Sequence, residues 1–203
     1  MNAEDSPDPW QQPPTLRGTH VSLEPLRREH ADGLRNALGE GRLWELWYTS
    51  VPRPEAIEDY IDTALATQAK GEALVFAVLD AAGAVVGTTR YYQLDRNVPR
   101  LAIGYTWYAT RVQRSGLNTE AKLLLLAHAF EAMQCAAVGF ETSWFNLASR
   151  TAIARLGARQ DGVLRNHMRH RDGTLRDTVV FSILANEWPA VKVNLQGKLA
   201  RHD

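Results

Sequence analysis

The segment Gln113 to Ala121, which reads Gln-Arg-Ser-Gly-Leu-Asn-Thr-Glu-Ala, constrains this chain more than any other. It follows a strand-like run, Leu101 to Tyr108, and leads into an apolar run, Lys122 to Met133, that predicts a helix. The first N–H groups of a helix have no partner within the helix, and the helix dipole makes that end positive. A strand, a turn of small residues and a helix start in this order therefore predict an anion-binding loop.

Residue types within this loop favour close contact with a phosphate group. Gly116 lets a ligand approach the backbone, and Ser115, Asn118 and Thr119 are of the types that cap helices. The loop has neither the Gly-Lys-Ser/Thr of a P-loop nor the Gly-x-Gly-x-x-Gly of a dinucleotide site. These two large classes of nucleotide-binding protein are therefore excluded.

Composition and charge limit the class of protein further. The chain has 203 residues, of which 45% are hydrophobic, so it can build the core of one domain. Its 23 basic and 23 acidic residues give a net charge of zero, which argues against a general nucleic-acid binder. Cys135 is the only cysteine, so no intrachain disulfide can form, and a reducing compartment is expected.

Hydropathy gives no sign of a membrane segment. The longest strongly apolar run, Leu123 to Phe130, is too short to span a bilayer, and the acidic, proline-rich N-terminus lacks the apolar run of a signal peptide. We therefore expect a cytoplasmic protein that binds neither nucleic acid nor membrane. The sequence is compatible with a monomer or with an oligomer.

The N-terminal region differs in composition from the rest of the chain. Four prolines, at positions 7, 9, 13 and 14, lie there among polar residues, which predicts a flexible arm over residues 1–15. Trp10 is the exception, because its large apolar ring favours docking on a surface. Residues 16–203 contain no linker and no internal repeat, and they predict a single domain that ends in a C-terminal helix over Asn186 to Ala200.

Periodicity and turn signals predict the order of elements in this domain. The predicted strands are His20–Leu26, Leu74–Asp80, Val85–Tyr92, Leu101–Tyr108, Ala136–Thr142, Arg159–Arg171 and Thr174–Leu184, and the predicted helices are Glu29–Leu38, Glu55–Lys70, Lys122–Met133, Asn146–Leu156 and the C-terminal one. Clustered strands with helices between them predict an α/β fold (an α+β mixed sheet) with helices on both faces.

The loop and the element order together carry a resemblance to a known family. The spacing Gln-x-x-Gly-x-Asn resembles the Gln/Arg-x-x-Gly-x-Gly/Ala pyrophosphate loop of the GNAT N-acetyltransferases. The Thr-Glu-Ala that follows resembles the RimJ/RimL-like branch, the ribosomal-protein alanine acetyltransferases. The sequence departs from the family pattern at Arg114, where a glycine often stands, and at Asn118, which replaces the final Gly/Ala. The resemblance implies a central twisted mixed sheet of about seven strands and acetyl-coenzyme A (acetyl-CoA) as co-substrate.

The resemblance also assigns residues that would hold acetyl-CoA. In this family a bulge splays one strand away from the next, so that unpaired backbone groups face the pantetheine chain. The implied cofactor-binding residues are Thr106, Trp107 and Tyr108 on that strand, then Val112, Gln113, Arg114, Ser115, Gly116, Leu117, Asn118 and Thr119 in and around the loop, and Asn146 at the start of a later helix.

Two side chains are the catalytic candidates. Glu141 lies five residues before Asn146, the spacing of the acid proposed as the base in the RimJ/RimL-like branch; an ordinary strand carboxylate is the alternative reading. The usual tyrosine acid of the family is replaced by Ile153. The resemblance implies instead that Ser149, in Asn146-Leu147-Ala148-Ser149, donates a hydrogen bond to the leaving sulfur.

Other residues have less support as catalytic, metal-binding or substrate-binding candidates. Glu120 competes with Glu141 as base, but a carboxylate in the first turn of a helix is better explained by the helix dipole. His167 and His170 have no partners at a defensible metal-ligand spacing, so no metal site is expected. The substrate-binding candidates are Trp47, Tyr48 and Tyr91, with Trp44, Arg90 and Tyr92 less supported.

The expected function is acetyl-CoA-dependent N-acetyl transfer to a primary amine, either a peptide N-terminus or a small molecule. The amine would attack directly in a ternary complex. The alternative is a catalytically inactive GNAT-like domain that binds acyl-CoA as a sensor or interaction module.

Overall fold

The strand runs of the sequence assemble into one eight-stranded sheet in the computed structural model, which describes residues 8–201. The strands are β1 (Leu16–Arg17), β2 (Val21–Pro25), β3 (Ala73–Asp80), β4 (Val85–Asp95), β5 (Arg100–Tyr108), β6 (Ala137–Ser143), β7 (Arg159–Arg169) and β8 (Leu175–Leu184). Their spatial order is β1-β2-β3-β4-β5-β6-β8-β7, and every neighbouring pair is antiparallel except β5 and β6. The predicted mixed sheet is confirmed. Its eighth strand is the two-residue β1, too short to give a periodic signal.

Helices cover both faces of this sheet, as predicted. They are α1 (Ala31–Gly39), α2 (Ile57–Ala69), α3 (Leu117–Ala127), α4 (Leu147–Leu156) and α5 (Trp188–Leu199). Successive residues of β4 show that α2 and α3 lie on opposite faces. Arg90 stacks on Tyr60 of α2, whereas Tyr91 donates a hydrogen bond to the Leu125 carbonyl of α3. Helix α3 begins five positions earlier than predicted, so Asn118 and Thr119 belong to its first turn.

The hydrophobic core fills the space between the sheet and both helical layers. All residues of β3 from Ala73 to Val78 are buried, because helices cover this central strand on both faces. The edge strand β7 has no such cover, and most of its residues are exposed.

The N-terminal region differs from the predicted flexible arm where it is described. Asp8 forms an ion pair with Arg96 at 2.7 Å, and Trp10 packs, partly buried, against the core. The apolar ring of Trp10 thus holds this segment against the domain, as its residue type favours. Residues 1–7 lie outside the described part of the chain.

Candidate active site

The sheet opens between its two parallel strands. β5 and β6 pair only over Arg100–Ala137, Leu101–Val138 and Ala102–Gly139, and then diverge. Beyond these pairs, β5 stays bonded to β4 on its other side and β6 stays bonded to β8. The facing edges of the two strands are left without strand partners, so a wedge-shaped opening with unsatisfied backbone groups lies between them.

A bulge in β5 accompanies the divergence. Gly104 pairs with Arg90 and Trp107 pairs with Thr88, so two β5 residues oppose a single β4 residue. One of these two β5 residues, Tyr105, has a positive φ of 52°. The bulge that the family resemblance implied is confirmed. Trp107 and Tyr108 have buried side chains, so these two residues present backbone rather than side chains to the opening.

The loop after β5 has the geometry of an anion cradle. Arg114 has a φ of 62°, a conformation usual for glycine, the residue that the family pattern leads one to expect there. The Ser115 hydroxyl donates to the Val112 carbonyl at 2.7 Å and accepts from the Leu117 N–H at 3.3 Å. Five backbone N–H groups of the loop and the start of α3 find no acceptor within residues 8–201: those of Arg114, Ser115, Gly116, Asn118 and Thr119. This part of the site matches the prediction of an anion-binding helix start.

Side chains around the loop hold it in place. The Gln113 amide donates to the Tyr108 carbonyl at 3.2 Å, and thus ties the loop to the end of β5. Arg111 forms ion pairs with Glu40 and, at 3.3 Å, with Asp80. Through these contacts, Gln113 and Arg111 stabilise the conformation of the loop. The Arg114 side chain, in contrast, is exposed.

Glu141 lies on β6 at the side of the opening. Its carboxylate accepts a hydrogen bond from the Gln93 amide at 3.1 Å. A Cβ on Gly104 would lie 2.7 Å from the Tyr92 ring, so this glycine lets Tyr92 extend across β5. Burial first, and then the charge of Glu141, raise the pKa of Tyr92. The structure therefore places Glu141 next to two β4 side chains at the bulge.

The start of α4 places Asn146 and Ser149 one turn apart. The Asn146 side chain accepts from the Ser149 N–H at 3.0 Å, which confirms the predicted cap, and Gly157 with a φ of 108° ends the helix. The Asn146 amide N–H₂ and the Ser149 hydroxyl have no partner in the described part of the chain. Ile153 is buried, so it belongs to the core.

Glu120 has a role that the sequence did not suggest. Its buried carboxylate accepts hydrogen bonds from the backbone N–H groups of Thr19, His20 and Val21, at 2.8, 2.6 and 3.0 Å. It thus joins α3 to the β1–β2 turn. Three such bonds exclude a free general base, and they explain the carboxylate better than the helix dipole does.

Lys122, two residues further along α3, is also buried. Its ammonium donates to the Thr106 hydroxyl at 2.9 Å and to the Thr89 hydroxyl at 3.5 Å, beneath the bulge. Burial lowers the pKa of Lys122 to about 7. Thr106, which the resemblance assigns to the cofactor through its backbone, contacts this lysine with its hydroxyl.

The aromatic candidates separate into two groups. Trp47 is 41% exposed, and its ring centroid lies 5.6 Å from that of Tyr48, 5.2 Å from Phe145 and 4.6 Å from His170. It borders an open cavity of about 400 Å³. Tyr91, in contrast, is fully buried beneath α3, so the prediction that it contacts substrate is wrong. Alternation along β4 turns its side chain away from the face that carries Arg90 and Tyr92.

A second cavity, of about 410 Å³, lies on the α2 face beside the bulge. Arg90, Tyr92, Gln93 and Tyr105 line it from the sheet, and Tyr60 lines it from α2. Tyr60 and Tyr105 were absent from the sequence prediction. The apolar spacing of α2 assigned Tyr60 to the core, and no local signal marked Tyr105.

Other chemistry has little support in the described residues 8–201. This part of the chain holds no group of three or more His, Cys, Asp or Glu side chains that could bind a metal ion. No helix in it is long and apolar enough to cross a membrane. Cys135 is buried, and burial raises the pKa of its thiol to about 12.

Comparisons with known proteins all identify acetyltransferases. Residues 20–159 match the family model described as "Acetyltransferase (GNAT) domain". The N-acetyltransferase YoaA of Bacillus subtilis (strain 168), named as uncharacterized, is 29% identical over 100 residues, which are 49% of this chain and 55% of that protein. The chain thus spans about half the length of this curated relative.

Solved structures extend the likeness to nearly the whole chain. A GCN5-related N-acetyltransferase from Brucella melitensis is 32% identical, with a TM-score of 0.83 over 95% of this chain and 87% of that one. RimJ of Mycobacterium smegmatis, solved in complex with CoA-disulfide, is 23% identical, with a TM-score of 0.75 over 91% and 93% of the two chains. At that identity the likeness to RimJ shows the shared fold.

Proposed function

Because the chain belongs to the GNAT acetyltransferase family, we propose that it transfers an acetyl group from acetyl-CoA to a primary amine by direct attack in a ternary complex. One observation carries this proposal. The unpaired edge of β5 leads directly into a loop with five free N–H groups, so one continuous surface offers partners for an extended amide chain and for phosphates. The single buried cysteine is compatible with the reducing cytoplasm, where we place the reaction.

Acetyl-CoA would bind along this surface in two parts. Its pyrophosphate would accept from the N–H groups between Arg114 and Thr119, with the exposed Arg114 guanidinium as a further donor. Its pantetheine amides would pair with the β5 edge as an added strand does, and the Asn146 amide would complete the contact. RimJ, which has the same fold, was solved in complex with CoA-disulfide, and this supports a coenzyme A ligand for the fold.

The reaction needs a polarised thioester, a neutral amine and a stabilised thiolate. A backbone N–H of β5 near Thr106–Tyr108 would bind the carbonyl oxygen, a contact that typically contributes about 3 kcal/mol to transition-state stability. Glu141 would take the proton of the amine as nitrogen bonds to the carbonyl carbon. The carbon–sulfur bond then breaks, and the Ser149 hydroxyl donates a hydrogen bond to the departing thiolate.

Calorimetric titration with acetyl-CoA tests the binding half of the proposal. We expect micromolar binding by the wild type and its loss in the double variant Ser115→Glu/Gly116→Glu, because two carboxylates would repel the pyrophosphate. The matched control is Gly162→Glu/Gly197→Glu, which adds the same charge where a Cβ meets nothing within 4 Å. No binding by folded wild-type protein would leave only the shared fold.

Release of free thiol in the presence of amine acceptors tests the catalytic half. We expect Glu141→Gln to lower kcat by about 100-fold or more and Ser149→Ala by about tenfold, with acetyl-CoA affinity unchanged. Glu29→Gln, at an exposed position, is the control. Wild-type binding without thiol release above background would favour the inactive sensor, and full turnover by both variants would refute the site assignment.

A further inference from the structure

Arg90 on β4 is a buried cation without a counter-charge. Only 6% of its surface is exposed. Its side chain forms no ion pair or hydrogen bond with any residue from 8 to 201, and its Nε–H is buried without an acceptor. Buried charges in proteins are normally paired, because an isolated one loses its hydration without compensation. The missing anion is therefore expected from a ligand, and the cavity of about 410 Å³ that Arg90 lines gives it access.

Two tyrosines hold the guanidinium in place without neutralising it. Its central carbon lies 4.1 Å from the ring centroid of Tyr105 and 5.5 Å from that of Tyr60. Tyr105 adopts this position from the strained φ of the bulge, which is the kind of strain found at binding sites. The Tyr60 hydroxyl is also buried without a partner within the described chain. Two unsatisfied donors thus line one cavity.

A residue that lines the same cavity contacts the proposed base, Glu141. Tyr92 and Gln93 both line it, and Gln93 donates directly to Glu141. Glu72 lines the cavity as well, but it forms no ion pair with Arg90. One end of the site is therefore cationic, and carboxylates lie elsewhere around it.

The neighbouring Arg176 also has a buried Nε–H that finds no acceptor among residues 8–201, but its charged surroundings differ from those of Arg90. Burial lowers the pKa of Arg176, and the charge of Glu141 opposes that shift. Arg176 thus already faces a carboxylate, whereas Arg90 faces aromatic rings.

We propose that this cavity is the acceptor site and that Arg90, with the Tyr60 hydroxyl, binds a carboxylate of the acceptor. The acceptor is then a small amine that carries one carboxylate, as an amino acid does. Its amine would point toward Glu141 and the opening between β5 and β6. This inference rests on the proposed function for the transfer step but not for the binding step.

Charge balance favours a carboxylate over a phosphate. A single guanidinium matches a monoanion, whereas a phosphate dianion near Glu72 and Glu141 would leave an excess of negative charge. The acidic side chains suit the ammonium end of a zwitterion. The volume of about 410 Å³ also suits a small molecule.

Binding is tested without catalysis by NMR of the arginine Nε–H groups in the full chain. The signal of Arg90 is identified by its loss in Arg90→Gln. We expect N-acetylglycine to shift this signal saturably and N-acetylglycinamide, which lacks the carboxylate, to leave it in place. Tyr60→Phe, a mild change, should weaken the binding of N-acetylglycine by about threefold because one hydrogen bond is lost. Arg100→Gln, at an exposed position, is the control and should change nothing.

Turnover is tested with glycine and glycinamide as paired acceptors. We expect Arg90→Gln to lower kcat/KM for glycine by at least about tenfold and to leave the value for glycinamide nearly unchanged. For each acceptor, kcat/KM of the variant is divided by that of the wild type. The different pKa values of the two amines affect both values equally and therefore do not affect the comparison.

The outcomes separate this inference from the proposed function. If the Arg90 signal shifts only with the carboxylate ligand and no amine is acetylated, the binding site is supported and the proposed acetyltransferase activity is refuted. Acetyl transfer with equal losses for both acceptors, or without any shift of the Arg90 signal, refutes the inference and leaves the enzyme intact. A shift caused by inorganic phosphate but not by N-acetylglycine also overturns it.

Discussion

Two cationic side chains are buried on opposite faces of the β4–β5 pair, and they differ in their partners. Lys122 has two hydroxyl acceptors, those of Thr106 and Thr89, which lie 2.7 Å apart from each other. Arg90, the residue after Thr89, has aromatic rings on either side and no acceptor among residues 8–201.

This difference indicates that Lys122 is a structural cation and that Arg90 is a ligand-binding one. The hydroxyls that surround Lys122 satisfy its donors in part, and burial stabilises the neutral amine, so this side chain can remain without an anion. Arginine cannot lose its proton in a protein, so Arg90 keeps its charge. A buried charge of that kind beside a cavity is the better indicator of a binding site.

The largest effect is expected from Lys122→Met. At pH 7 we expect the free energy of unfolding to rise by about 1 to 4 kcal/mol, because methionine carries no ammonium to desolvate. Unfolded Lys122 keeps its proton up to about pH 10.5, and the folded side chain releases it near pH 7. Between these values the unfolded chain binds more protons, so the contribution of Lys122 to stability rises with pH. The advantage of the variant should therefore shrink toward pH 10.

Denaturant titrations at several pH values between 6 and 10 measure this trend. Lys70→Met, at an exposed position at the end of α2, is the control, and its effect should be small at every pH. A Lys122→Met variant that is less stable than the wild type at pH 7, or an advantage that does not change with pH, would contradict a desolvated ammonium.

Local chemistry made part of this site predictable. The Asn146 cap and the Gly157 helix end depend on residues close together in sequence, and both are confirmed. The helix after β5 is confirmed as well, although it begins earlier than predicted, and Arg114 takes a glycine-like backbone conformation in the loop before it. Element order was sufficient for the mixed sheet, and Gly83 and Gly173 mark two of its hairpin turns.

The rest depended on contacts between distant segments. Glu120 binds a turn about 100 positions away, which no helix pattern reveals. The strand run that contains Arg90 and Tyr91 is covered on both faces, so alternation alone could not show which neighbour meets the cavity and which meets α3. The bulge at Tyr105 decides how the Arg90 guanidinium is stacked, and it depends on the pairing of two strands.

The smallest effect on the fold is expected from Arg90→Met. We expect the free energy of unfolding to change by no more than about 1 kcal/mol, because the relief of an unpaired charge offsets two cation–π contacts of about 0.5 to 1 kcal/mol each. The change should not vary between pH 6 and 9, since arginine does not titrate there.

A ligand that binds only the folded protein raises its Tm, and this gives a second test of Arg90. N-acetylglycine should raise the Tm of the wild type but not of Arg90→Met, with sodium chloride at equal ionic strength as the control. A loss of several kcal/mol in the variant would make Arg90 a structural cation like Lys122, and the contrast between them would then be wrong.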